Sequence, residues 1–230
     1  MLSFWQGVFD IIITRRELLL SAFWEHVWLS GVALVLICAA GIPAGILITR
    51  MRRLAPVIIG FAGFLYTIPS IALFGFMIPL VGIGVNNALI ALFIYGLMPL
   101  IRNTYVGIRE VDASVVEAAR GMGATDWQIL RDVEIPLALP LIVAGFRTVT
   151  VMTIAVATIA AFIGAGGLGA VIWRGINTYN PELVMAGSIP VAMMAVSADG
   201  VLGMLEKVLL RRSRGDVPSS RLHPKAEQSW

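Results

Sequence analysis

Five long apolar runs constrain this chain more than any other feature of its sequence. They fall near residues 27–49, 56–80, 87–108, 137–163 and 183–210. A helix of about 20 residues crosses a hydrocarbon layer of about 30 Å, so each run is long enough to span a membrane. Isolated strands would leave backbone amides unpaired in lipid, so the runs are expected to be helical. Apolar residues make up 58% of the chain and charged residues 13%, more hydrocarbon than a water-soluble core of this length can hide. The expected fold class is an all-α membrane protein with about five transmembrane helices.

The segment 1–24 differs from these runs. Asp10, Thr14, Glu17, Ser21 and Glu25 recur every three or four residues and draw one polar stripe along an apolar helix. That pattern predicts an amphipathic helix lying in the membrane interface. A sixth span is the rival, opposed by the cost of burying Arg15 and Arg16. These charges, with no small-residue cleavage site close behind, also argue against a cleaved signal peptide. Residues 25–210 are read as the membrane domain and 211–230, polar and holding Pro218 and Pro224, as a disordered tail.

Cations set the expected orientation. Arg50, Arg52 and Arg53 follow the first run, Arg102, Arg109, Arg120 and Arg131 surround the long connection after the third, and Lys207, Arg211, Arg212 and Arg214 end the fifth. Basic ends face the cytoplasm, which places the N-terminus outside and the C-terminus inside. Clustered this way, the net charge of +3 orients a membrane protein and implies no nucleic acid. The single Cys38 permits no disulfide framework. With only His26 and His223 as imidazoles and no metal-spaced acidic cluster in the spans, no metal or cofactor is expected. An integral-membrane enzyme and a passive channel stay open as rivals on residues alone.

The connection 109–136 is too long for a turn. Ser114 and Glu117 have capping-box spacing, Gly121 and Gly123 supply a left-handed stop, and Thr125 with Gln128 offers a second box before Pro136 opens the fourth span. Two short helices are expected, with Trp127, Leu130 and Val133 packing the loop onto its own helix ends. Ala118 and Ala119 allow close approach, and Glu117 either meets a basic group on a partner or caps its own helix.

Glu117, Ala118 and Ala119, then Gly123, then VEIP at 133–136 resemble the EAA signature of permease subunits of binding-protein-dependent ABC importers, with Val133 and Ile135 as apolar departures. The resemblance implies the five-span, methionine-permease-like fold of those subunits. It further implies that the loop is a coupling helix seated in a cytoplasmic ATPase dimer through Glu117, Ala118, Ala119, Gly123 and Pro136. A second permease subunit, identical or sister, an extracytoplasmic solute-binding protein and a prokaryotic inner membrane complete the expected setting. The segments YTIPSIALF at 66–74, PLIRNT at 99–104 and ATIAAFIGAGGLG at 157–169 are similar to the osmoprotectant branch, which imports glycine betaine, choline or carnitine. Methionine is the alternative solute. No phosphate loop of the Gly-x4-Gly-Lys-Ser/Thr type occurs, so ATP hydrolysis is assigned to another chain.

Within the spans, Arg147 and Asp199 lie at equal depth and are candidate partners, either as a lock between spans four and five or as part of the transport path. Pro69 and Pro99 are candidate hinges. Ala157, Ala161 and Ala165, with Thr150, Thr153 and Thr158, suit either close packing or a polar path. Gly164, Gly166, Gly167 and Gly169 match a dinucleotide fingerprint formally but lack the strand and helix around it, so a flexible turn or gate is expected there. Tyr66, Trp173 and Tyr179 offer ring faces suited to a quaternary ammonium or to interfacial anchoring.

Overall fold

A computed structural model describes residues 2–51 and 53–213. Arg52, Arg214, His223 and the expected tail beyond Ser213 lie outside the described residues. Ten α-helices follow one another, with no strand among the described residues: α1 (Leu2–Thr14), α2 (Arg16–Arg50), α3 (Ala55–Thr67), α4 (Ser70–Val81), α5 (Val85–Arg109), α6 (Ala113–Gly121), α7 (Asp126–Gln128), α8 (Ile135–Ile159), α9 (Leu168–Asn177) and α10 (Pro181–Ser213). Four helical stretches are long and apolar enough to cross a membrane: α2, α5, the run 126–163 built on α8, and α10. The pair α3–α4, bent by 97°, is the fifth.

This pair is a broken span that traverses the bundle. Arg50, ending α2, bonds Glu134 beside the start of α8, whereas the Gly84 N–H, just before α5, bonds the Ile163 carbonyl beyond the end of α8. The chain between them must therefore cross from one end of the bundle to the other. Pro69 sets the break. It cannot donate to the preceding turn and pushes Ile68 out of the helical region, to φ −67° and ψ 127°. The Tyr95 hydroxyl donates to the stranded Ile68 carbonyl, and Thr67 donates to Phe64 at 2.7 Å. Pro99 behaves differently, since α5 passes through it without interruption.

The expected division at residue 24 falls inside a continuous helix. α2 runs for 35 residues, about 52 Å at 1.5 Å per residue, and the interruption lies earlier, at Arg15. Only α1 is a separate N-terminal element. It does not lie alone: Ile11 and Ile12 pack with Leu19, Ala22, Leu168, Val171 and Leu183. A Cβ on Gly7 would stand 3.0 Å from the Glu182 side chain of α10.

The main core is built where α2, α4, α5 and α8 meet, from Leu29, Ile37, Phe74, Leu92, Leu100 and Val149. Gly41 and Gly45 let α2 press onto α5; a Cβ at Gly45 would lie 2.6 Å from that of Thr104. Ala157, Ala161 and Ala165 are all buried, as are Thr150 and Thr153, so this face of α8 and of the turn that follows it packs helices together.

Candidate functional site

Five basic residues of the described chain, Arg50, Arg53, Arg109, Lys207 and Arg211, mark one end of the bundle, and the loop after α5 projects from that end. Its first helix, α6, starts at Asp112, whose side chain accepts the Ser114 N–H at 2.8 Å. The expected Ser114–Glu117 box is therefore replaced by an Asp112 cap. Asp112 satisfies an orphan donor at the helix start, and its negative charge suits the positive end of the helix dipole. Glu117 consequently has no capping duty. Its side chain is exposed and makes no hydrogen bond or ion pair with any described residue. Ala118 is exposed beside it, while Ala119 is buried on the face turned to the protein.

Hydrogen bonding from Ser114, chiefly its backbone N–H, holds the Asp112 carboxyl below its ordinary value. A depressed folded pKa means the cap is fully present above the ordinary carboxylate value of about 3.9 and is lost as pH falls through the depressed one. Protection of the amides of residues 113–116, taken against their intrinsic exchange rate at each pH, is therefore expected to hold down to mildly acidic pH and to fall below it. Asp112→Ala should lack that protection at every pH; equal protection in that variant would exclude the cap.

α6 ends in a Schellman turn. Gly123 takes φ +90°, its N–H bonds the Arg120 carbonyl at 3.0 Å, and the Ala124 N–H bonds the Ala119 carbonyl at 3.1 Å. Gly121 is the last residue of the helix itself, so only one of the two expected stop glycines is left-handed. The second box forms as expected: Thr125 accepts the Gln128 N–H, and the Gln128 side chain accepts the Thr125 N–H at 2.8 Å.

The second loop helix is not free-standing. After α7 the chain continues through a six-residue π-helix, Ile129–Glu134, directly into α8. Pro136 lies in the first turn of α8 and has no N–H to offer, and its ring crowds the carbonyl four residues back. The widened turn accommodates this, with the Ile135 N–H reaching back to the Leu130 carbonyl. Leu130 is buried among Ile108, Ala138 and Ile142. Trp127, expected to pack inward, is instead 67% exposed, and Ile129 takes the interior place. A cavity of about 440 Å³ bordered by Gly107, Glu110, Val115, Leu141 and Glu206 undercuts α6.

Two ion pairs brace the surrounding helices. Sequence spacing offered no sign of the first: Arg50 grips Glu134 with both terminal guanidinium nitrogens, at 2.5 and 3.2 Å. The second joins Arg147 of α8 to Asp199 of α10 at 2.6 and 2.7 Å. Glu206, absent from the sequence reading, takes the third contact of Arg147 at 3.1 Å.

At the opposite end, Gly164, Gly166 and Gly167 all have positive φ. This turn is tied down where a flexible one was expected. The Gly167 N–H donates to Glu25 at 2.9 Å, buried His26 lies against Gly167, and its Nε2 meets the Ile154 carbonyl at 3.1 Å. Gly169 serves close packing of α9 onto Thr158. Trp173 stacks on Phe162 with centroids 3.9 Å apart, Tyr66 lies edge-on to Tyr95, and Tyr179 is almost fully exposed.

Residues 41–212 match the family model for a binding-protein-dependent transport system inner membrane component. The carnitine transport permease protein OpuCB of Listeria monocytogenes is 46% identical over 82% of this chain and 86% of its own. The glycine betaine/carnitine/choline transport system permease protein OpuCB of Bacillus subtilis is 45% identical over 80% and 84%. In fold, the chain superposes on a protein of the inward-facing MetNI methionine ABC transporter with a TM-score of 0.78, at 24% identity, over 85% of this chain and 98% of that one. With the family model matched across most of its length, this chain belongs to the inner membrane components of binding-protein-dependent transport systems.

Proposed function

We propose that this permease subunit imports a small quaternary-ammonium solute, of the carnitine, choline and glycine betaine class, using ATP hydrolysed by a separate cytoplasmic ATPase dimer. The observation that carries the proposal is the construction of α6. Its Glu117–Ala118 face is exposed and unpartnered, its two ends are fixed by a cap and a Schellman turn, and the turn leads without a joint into α8. A rigid projection transmits displacement, whereas a loose loop would absorb it. Glu117, Ala118, Ala119 and Gly123 are the proposed docking residues, and Pro136 shapes the π-turn behind them. The solute class is supported by the names of the relatives that align with most of the chain.

In this reading the basic end faces the cytoplasm, the N-terminus lies outside and the C-terminus inside. A second permease subunit closes the pathway, and an extracytoplasmic binding protein delivers solute to the glycine-turn end. The broken span at Pro69 is the proposed moving part, and the tied-down turn at Gly164–Gly169 is the fixed point against which it works. The test is uptake into proteoliposomes holding this chain, its ATPase and its binding protein. Carnitine, choline or glycine betaine uptake that needs ATP and both partners is expected; solute flow without ATP indicates a channel, and uptake of methionine alone overturns the solute class.

A further inference from the structure

We infer that Arg50 and Glu134 form a strap that carries movement of the docking loop into the neighbouring span, so that ATP hydrolysis drives α2 and α3 as well as α8. The inference rests on the reading that the loop docks an ATPase. Glu134 is the last residue of the π-helix and is 7% exposed, an uncommon place for a carboxylate. Both of its oxygens are held by the guanidinium of Arg50, the final residue of α2. A two-point fork fixes direction as well as distance, which a single charge contact does not.

What the strap joins gives it consequence. On one side, the π-helix follows α7 without interruption and packs Leu130 into the bundle. On the other, Arg50 precedes the short turn into α3, whose first residue Ala55 is buried with Ile48 and Ile101. α3 leads to the 97° break and α4, and just beyond α4 the Gly84 N–H grips the Ile163 carbonyl beside the glycine turn. A displacement of α6 thus has two routes to the opposite end, one along α8 and one through Arg50 and the broken span. Without the strap the charge-assisted link at the docking end is lost, and α2 and the broken span follow α8 only through the apolar core.

The test uses the full reconstituted transporter with Glu134→Gln, which keeps the side-chain shape without charge, and Arg50→Lys, which keeps charge without the fork. Both variants are expected to co-purify with the ATPase and to hydrolyse ATP at close to the wild-type rate. Solute moved per ATP should fall about tenfold, within the range for two directly coupled residues. The exchanged pair Arg50→Glu with Glu134→Arg should recover part of the loss. If the variants lose folded protein but the remainder transports at the wild-type ratio, the pair is a structural tie and the strap is overturned. An unchanged ratio with normal yield overturns it too. If the ATPase fails to co-purify even with the wild-type chain, the docking reading itself falls, and the strap with it.

Discussion

Gly123→Val is expected to remove most uptake while leaving the protein inserted and folded. The backbone at Gly123 has φ +90°, a region that L-residues reach only at a cost of about 1–2 kcal/mol and that β-branched residues avoid most. A penalty of that size shifts a conformational equilibrium by a factor of about 5–30. The shift falls on the Schellman turn, where the Gly123 and Ala124 N–H groups tie off the last carbonyls of α6. No atom outside its chain neighbours lies within 4 Å of a Cβ placed there, so the bundle itself has no reason to unfold. The loss should therefore appear in ATPase co-purification and in uptake, with the amount of protein in the membrane unchanged. Gly121→Ala is the control. Gly121 closes α6 with ordinary helical geometry and open space around it, and alanine there favours the helix. If the two variants behave alike, the positive φ is not what matters, and the docking argument loses its geometric basis.

The contrast between these glycines shows how far the sequence alone could be read. Both stand where a helix stop is expected, and spacing cannot tell which adopts the left-handed conformation. The apolar runs were legible because membrane thickness dictates their length, and all five reappear as helical stretches. The break at Pro69 was legible as a kink, but its 97° size was not. That depends on Ile68 turning extended and on Tyr95, 27 residues further along, accepting the task of satisfying its carbonyl. The joint at residue 24 was misplaced for a similar reason. Polar residues at helical spacing suggested a separate interfacial helix, but the last of them, Glu25, acts within the fold, as does its neighbour His26. Glu25 reaches the Gly167 N–H and His26 reaches Ile154, contacts spanning more than half the chain. In the docking loop, Ser114 had the correct spacing to Glu117 for a box, and Asp112 outcompeted it from two residues upstream. Local chemistry named the motif, and a neighbour decided which residue filled it. Arg50 and Glu134 left no local trace, since their pairing exists only once α2 and the π-helix have come together.

Arg147→Gln should weaken the bundle more than any other single neutralisation within the spans, because it releases two carboxylates at once. Sequence depth alone pointed to Arg147 and Asp199 as a pair, for which a simple charge exchange would be a sufficient rescue. The third member changes that expectation. Glu206 sits 3.1 Å from the same guanidinium, so Arg147→Glu with Asp199→Arg would set the new carboxylate facing Glu206. The exchange is then expected to recover only part of the thermal stability, and adding Glu206→Gln should recover more. Geometry also says why the arginine lies where it does: a Cβ on Gly203 would stand 3.0 Å from the guanidinium, so the bare α10 backbone there makes room for it. Gly203→Leu should accordingly mimic the loss of the pair without touching a charge. The measurements are the Tm of the purified transporter and the ATP-dependent uptake of the material that stays folded. A lock between α8 and α10 predicts that Tm falls while the folded fraction transports normally. If Arg147→Gln leaves Tm in place and removes uptake, the triad belongs to the transport path and the lock is wrong. The lock is the stronger reading on packing grounds. The fork from Arg147 to Asp199 ties α8 directly to α10, with Glu206 adding a second tie about two turns further along the same helix, and charge-assisted hydrogen bonds at depth in a membrane have little competition from water.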